Sequence, residues 1–155
     1  MKYKLNHTYT HEFTNVAFDN LDEISLLKAF GDGRTISRFL ELWIINNFDN
    51  LIDNETRDFD LWDFKTKRKV EVKCYSNSIG CRFFPNYMIG GSRTLDEEKA
   101  QEYVTDKIFC IVDIRNYPKM QFKFIEGDDL VELYPKFVIP KNENKFFNGI
   151  KRVNI

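Results

Sequence analysis

An α/β fold, with a mixed β-sheet flanked by α-helices, is what the sequence predicts, and three observations carry that expectation. From Thr35 to Phe48 the apolar residues Ile36, Phe39, Leu40, Trp43, Ile44 and Phe48 recur at steps of three and four, the spacing of one buried helix face. Two short stretches of alternating polarity, Phe59 to Phe64 and Val70 to Cys74, flank a polar, lysine-rich connection and read as a β-hairpin. Lys107 to Arg115 is a nearly continuous apolar run suited to a central strand covered on both faces. The order helix, hairpin, helix, strand, strand then builds a layered sandwich.

The remaining elements follow along the chain. Residues 1 to 20 mix polar and aromatic side chains without clear periodicity, as expected of an irregular arm or one short strand. Asp22 to Phe30 reads as a short helix with Asp22 as N-cap and Gly31 as stop signal. On the Thr35–Phe48 helix, Glu41 lies toward the edge of the apolar face, where a side chain can reach a neighbouring hairpin. Ser76 to Ser92 is a glycine-punctuated loop carrying Arg82 and Asn86, with Arg93 just beyond, among the aromatics Phe83, Phe84 and Tyr87. Leu95 to Val104 reads as the next helix, capped by Thr94 with Glu97 in capping-box position. Asn116 to Lys119 is a turn, and Met120 to Ile125 an alternating strand that Gly127-Asp128-Asp129 ends. Leu130 to Ile139 is strand or short helix, limited by Pro135 and Pro140, and the polar tail from Lys141 to Ile155 is a loop followed by an edge strand. A single domain spanning 1–155 is expected, with its core at about 22–139 and the N-terminal arm and C-terminal tail peripheral.

Composition narrows the class. At 155 residues, 43% hydrophobic and 30% charged, the chain suits one well-filled globular core and not a disordered segment. No apolar run approaches the length of a membrane span, and the start of the chain lacks the apolar centre of a signal peptide, so a cytoplasmic protein is expected. The three cysteines, Cys74, Cys81 and Cys110, contain no Cys-x-x-Cys pair and read as reduced thiols; with His7 and His11 they match no common zinc module. The formal charge of −1 is low for a protein that grips nucleic acid, but its distribution is uneven. The stretch from Asp49 to Asp63 is acidic, opposed only by Arg57, whereas Lys65, Lys67, Arg68, Lys69 and Lys73 crowd the hairpin connection and its second strand.

The hairpin carries the chemistry. In its second strand Val70, Val72 and Cys74 fall on one face and Glu71 and Lys73 together on the other, while Asp60, eleven residues before Glu71, supplies a carboxylate from the facing strand. Mg²⁺ prefers oxygen ligands and takes one or two carboxylates, completing its shell with water and substrate phosphate. An ammonium two residues beyond the second carboxylate can orient the attacking water or stabilise charge at phosphorus. The plain alternative is a surface hairpin with a solvated ion pair, since Glu-x-Lys alone is common.

Asp60 followed by Glu71-Val72-Lys73 resembles the signature of the PD-(D/E)xK nuclease superfamily, which includes restriction endonucleases, Holliday-junction resolvases and many phage and repair nucleases. The helical segment Gly33 to Ile45 adds to the likeness, with Glu41 where that superfamily often places a glutamate, and the resemblance covers residues 33 to 115. It departs at Phe59, which stands where the superfamily has Pro, and this leaves Asp58 and Asp63 as competitors for the first ligand position. The resemblance implies a restriction-endonuclease-like core and a Mg²⁺-dependent endodeoxyribonuclease, with Mn²⁺ able to substitute and no small-molecule cofactor. In that reading Asp60, Glu71 and the Val72 carbonyl bind metal, Lys73 positions the nucleophile, and Glu41 holds a second ion or its water. Lys67, Arg68, Lys69, Arg82 and Arg93 become candidate DNA contacts, and a homodimer is implied because one site cuts one strand. Two rivals remain: a catalytically inactive nucleic-acid-binding or protein-interaction module with the same fold, and a structural protein with an exposed Phe-rich surface.

Overall fold

A computed structural model of the chain describes residues 1–14, 21–30, 33–54, 56, 58–78, 80–91, 93–148 and 153–154. Gly31, Arg57 and Ser92, named above, lie outside the described residues, as does Glu55 of the acidic stretch. In chain order the elements are β1 (Thr8–Glu12), α1 (Glu23–Phe30), α2 (Gly33–Asn47), β2 (Leu51–Asp53), β3 (Leu61–Asp63) and β4 (Arg68–Tyr75). They continue as β5 (Cys81–Arg82), a 3₁₀ turn (Asn86–Met88), α3 (Glu97–Thr105), β6 (Lys107–Asp113) and β7 (Lys119–Glu126). The chain ends with α4 (Gly127–Leu133), β8 (Val138–Ile139), α5 (Lys145–Asn148) and β9 (Val153–Asn154). Seven strands form one mixed sheet in the order β2-β3-β4-β6-β7-β1-β9, and β5 and β8 pair separately. No helix among the described residues is long and apolar enough to cross a membrane.

Strand alternation divides the core into two layers. Ile108, Cys110 and Val112 of β6 pack with Val70 and Val72 of β4 against Ile36, Leu40 and Ile44 of α2. Phe109 and Ile111 face the other way, joining Ala100 and Val104 of α3, Leu130 of α4 and Phe146 and Phe147 of α5. Every residue of β6 is buried, which is why its sequence lacks alternation. Each large aliphatic or aromatic side chain so enclosed contributes about 1.5–3 kcal/mol. On β4, the Val70/Val72 face belongs to the α2 layer, so Glu71 and Lys73 turn toward the α3 layer.

The predicted α1, α2, hairpin and β6 are present within a few residues of their expected limits. Asp22 caps α1 by accepting a hydrogen bond from the Ser25 N–H at 2.7 Å. Three details differ. The next helix begins at Glu97, not Leu95, because Asp96 takes the cap by accepting from the Lys99 N–H, while Leu95 is occupied in a bridge with Ile89. Gly127 opens α4 where the sequence reads as a stop; a Cβ there would lie 1.8 Å from the Val104 carbonyl oxygen, so only glycine lets α4 approach the end of α3. The chain ends are also drawn inward. β1 pairs antiparallel with β7 and parallel with β9, and Thr8, Tyr9, Phe146 and Phe147 are all buried, so packing reaches past residues 22 and 139.

Candidate active site

The site exists because β3 stops early. Before Leu61 the chain bends: the Asn54 side chain donates to the Phe59 carbonyl at 2.7 Å, and the Asn54 N–H donates to the Asp60 carbonyl at 3.2 Å. The second bond keeps Asp60 beside the end of β2 in the β2–β3 register, while the β3–β4 pairing stops at Leu61 opposite Val70, so β4 outruns its partner. The Val72 N–H then donates to Asp60 Oδ2 at 2.7 Å instead of to a strand. A strand residue directs its N–H and C=O to the same edge, so the Val72 carbonyl faces that gap as well. Continuing the register of Leu61 opposite Val70 sets Asp60 against Glu71.

Around this gap negative charge exceeds positive. Glu71 is 5% exposed; its Oε1 accepts from Lys73 Nζ at 2.6 Å, and its Oε2 has no hydrogen-bond partner among the described residues. The Asp60 carboxyl is pushed up to about 6, first by burial and then by the Glu71 charge; Glu41 adds to the rise, and the Val72 N–H and Lys73 oppose it. Burial would lower the Lys73 ammonium, but Glu71 outweighs it and holds the proton on more firmly than usual. Behind them, the Tyr103 phenol of α3 is raised by burial and then by Glu71, through its charge and through side-chain hydrogen bonding, so the phenol is the group nearest to serving the free side of that carboxylate. Lys107 sits with its Nζ 3.5 Å from the Tyr103 ring centroid and donates to the Tyr103 carbonyl at 2.8 Å.

The donor set is all oxygen. Burial pushes the Cys74 and Cys81 thiols up to about 12, so both remain protonated and serve as neither nucleophile nor thiolate ligand. Among the described residues no group of three or more His, Cys, Asp and Glu side chains is arranged to hold a metal. Asp60 and Glu71, with the Val72 carbonyl, offer the one or two carboxylates and few oxygens that Mg²⁺ accepts, and the partnerless Glu71 Oε2 is an acceptor that a cation would satisfy.

The other predicted residues divide. Glu41 is within electrostatic reach of Asp60, yet its Oε2 is held by Arg38 at 2.9 Å, and Arg38 also grips Asp53 at 2.9 and 2.5 Å. Of the hairpin cations, Arg68 pairs with Glu126 at 2.6 Å and Lys69 with Asp106, leaving Lys67 exposed in the turn. Arg82 donates to Asn86 Oδ1 and lies over the Phe84 ring, and Arg93 is exposed. Of the competing aspartates, Asp58 is exposed. Asp63 is fully buried and committed to the turn, accepting from Tyr3 Oη, Asn50 Nδ2 and the Lys65 and Thr66 N–H groups. Tyr103, Lys107 and Asn54 went unread in the sequence. The spacing of Ala100 and Val104 marks the buried side of α3, but only packing brings Tyr103 to Glu71. No family model, no curated protein and no solved structure matches this chain.

Proposed function

We propose that the chain is a Mg²⁺-dependent endodeoxyribonuclease hydrolysing DNA phosphodiesters at the open end of the β3–β4 hairpin. The observation that carries this reading is the pairing of two carboxylates at that open end: the buried Glu71, whose Oε2 makes no hydrogen bond among the described residues, beside an Asp60 whose carboxyl is pushed up to about 6 by burial and then by the Glu71 charge. A divalent cation bound there supplies neutralisation of charge developing at phosphorus and makes water acidic enough to attack at neutral pH. The protein's own groups do the rest. The Val72 N–H fixes the Asp60 carboxylate, so its orientation is set before substrate arrives. Lys73, half-buried and firmly protonated, offers a donor to a non-bridging phosphate oxygen or to the attacking water. Tyr103 backs Glu71 from α3, and Lys107 is stacked on the Tyr103 ring behind it. A restriction-endonuclease-like core is supported by the order α2, antiparallel β2-β3-β4, α3, then β6 parallel to β4. Cutting both strands of a duplex calls for a homodimer, one site per strand.

The rival of a catalytically inactive binding module is favoured by the closed Glu71–Lys73 ion pair, which occupies the site with its own counter-ion. Incubating the purified protein with supercoiled plasmid, linear duplex and branched DNA, with Mg²⁺, Mn²⁺ or chelator, separates the two. The nuclease reading expects metal-dependent nicking or linearisation that Glu71→Ala and Lys73→Ala abolish. Intact DNA in every tube, or cleavage that survives Glu71→Ala, ends it.

A further inference from the structure

Beside the site, a cleft of about 340 Å³ opens between the 3₁₀ turn and the start of α3, lined by Tyr87, Met88, Gly90, Leu95, Asp96 and Lys99. Its α3 wall runs on toward the carboxylates. Lys99 and Tyr103 are four residues apart on α3 and share one helix face, so the cleft wall leads along that face to the phenol beside Glu71. The Tyr87 hydroxyl lies close enough to Tyr103 to contribute to its raised pKa.

Two features of this cleft are unusual. Tyr87 is 77% exposed, the most exposed of the large hydrophobic side chains among the described residues, and it is anchored by its neighbours: Met88 is buried beside it, and Arg82 holds Asn86 Oδ1 at 3.0 Å. The wall is also close to neutral, because Lys99 is paired with Asp96 at 2.9 Å. A surface recruiting a phosphate backbone would present free cations; this one presents a π-face. Its volume suits a single base with its sugar.

We propose that this cleft receives one unpaired nucleotide of a DNA strand, its base stacked on Tyr87 while the adjoining phosphodiester reaches Glu71 and Lys73, so that the substrate carries a single-stranded segment. The inference rests on the nuclease reading and deepens it. Stacking on an aromatic ring is indifferent to base identity and holds a strand without the counter-ion release that dominates duplex grip. It also accounts for a nucleic-acid site on a chain of net charge −1 whose hairpin cations Arg68 and Lys69 are already paired.

The test uses the full chain and three fluorescent DNA probes of one sequence: a single strand, a blunt duplex and a duplex with a single-stranded flap. Binding is read by anisotropy in chelator across a salt series, and cleavage in Mg²⁺. Single-strand and flap probes should bind at least tenfold tighter than blunt duplex, with a shallow salt dependence. Tyr87→Ala should lose about tenfold of that binding and Tyr87→Phe retain it. Equal binding of blunt duplex, or Tyr87→Ala binding like the parent, overturns the inference while metal-dependent cleavage leaves the nuclease reading intact. Tyr87-dependent single-strand binding with no cleavage of any probe leaves the stacking site standing and removes the nuclease.

Discussion

Asp63 and Asp60 sit three residues apart at opposite ends of one short strand, and their surroundings could hardly differ more. At the turn end, Asp63 is buried completely, yet four donors surround it: Tyr3, Asn50 and two turn N–H groups. Burial alone would raise its pKa, but those hydrogen bonds outweigh it and hold the carboxyl below its usual range. At the open end Asp60 has one backbone donor, faces Glu71 and is pushed the other way, to about 6. Burial therefore does not distinguish a structural carboxylate from a functional one. The number of donors does: Asp63 is satisfied within the chain, whereas Asp60 and Glu71 together lack one positive partner.

Four measurements press on that contrast, the largest effect first. Asp60→Asn should lower metal-dependent cleavage by about a hundred- to thousandfold with the fold retained, read as kcat/KM on plasmid nicking. Wild-type rates from that variant would mean that the open end is not the reacting centre. Asp63→Ala should destabilise the protein by about 3 kcal/mol, read from the urea midpoint, because it strands the amide of Asn50 and two turn N–H groups. An unchanged midpoint would dissolve the distinction between the ends.

The third prediction concerns pH. Asp60 holds its proton more tightly folded than unfolded, so it favours the folded chain below about pH 4, and that contribution is lost as pH rises through about 6. In chelator, Asp60→Asn should thus stabilise the protein by about 1–2 kcal/mol at pH 8 and by nothing measurable at pH 3. Added Mg²⁺ should stabilise the parent protein at pH 8, and much less below pH 5, where the ligand is protonated. Asp63 runs opposite: its contribution is present above the ordinary aspartate range and fades as acid protonates it. Smallest of all, Lys69→Ala removes a surface pair with Asp106 and should cost about 0.5 kcal/mol or less in stability. A larger loss would show that the hairpin cations brace the fold.

Much of this was legible in the chain. The three- and four-residue apolar steps of α2, the unbroken apolar run of β6 and the alternation of β4 are local consequences of helix pitch, double coverage and pleat, so they survive in one dimension. Alternation alone also places Glu71 and Lys73 on one face of their strand. The limits of α3 and the start of α4 were misread, because both depend on contacts distant in sequence: the Ile89 bridge that occupies Leu95 and the Val104 carbonyl that Gly127 must approach.

The sequence by itself determined which side chains share a strand face, since that follows from backbone periodicity. Only the tertiary structure decided which of three aspartates meets Glu71, that Tyr103 and Lys107 back the site, and that Arg68 and Lys69 are already paired. The physical reason is that a carboxylate's role depends on how many donors reach it and how far water is excluded. Both are set by elements that lie tens of residues apart along the chain and are brought together only by packing.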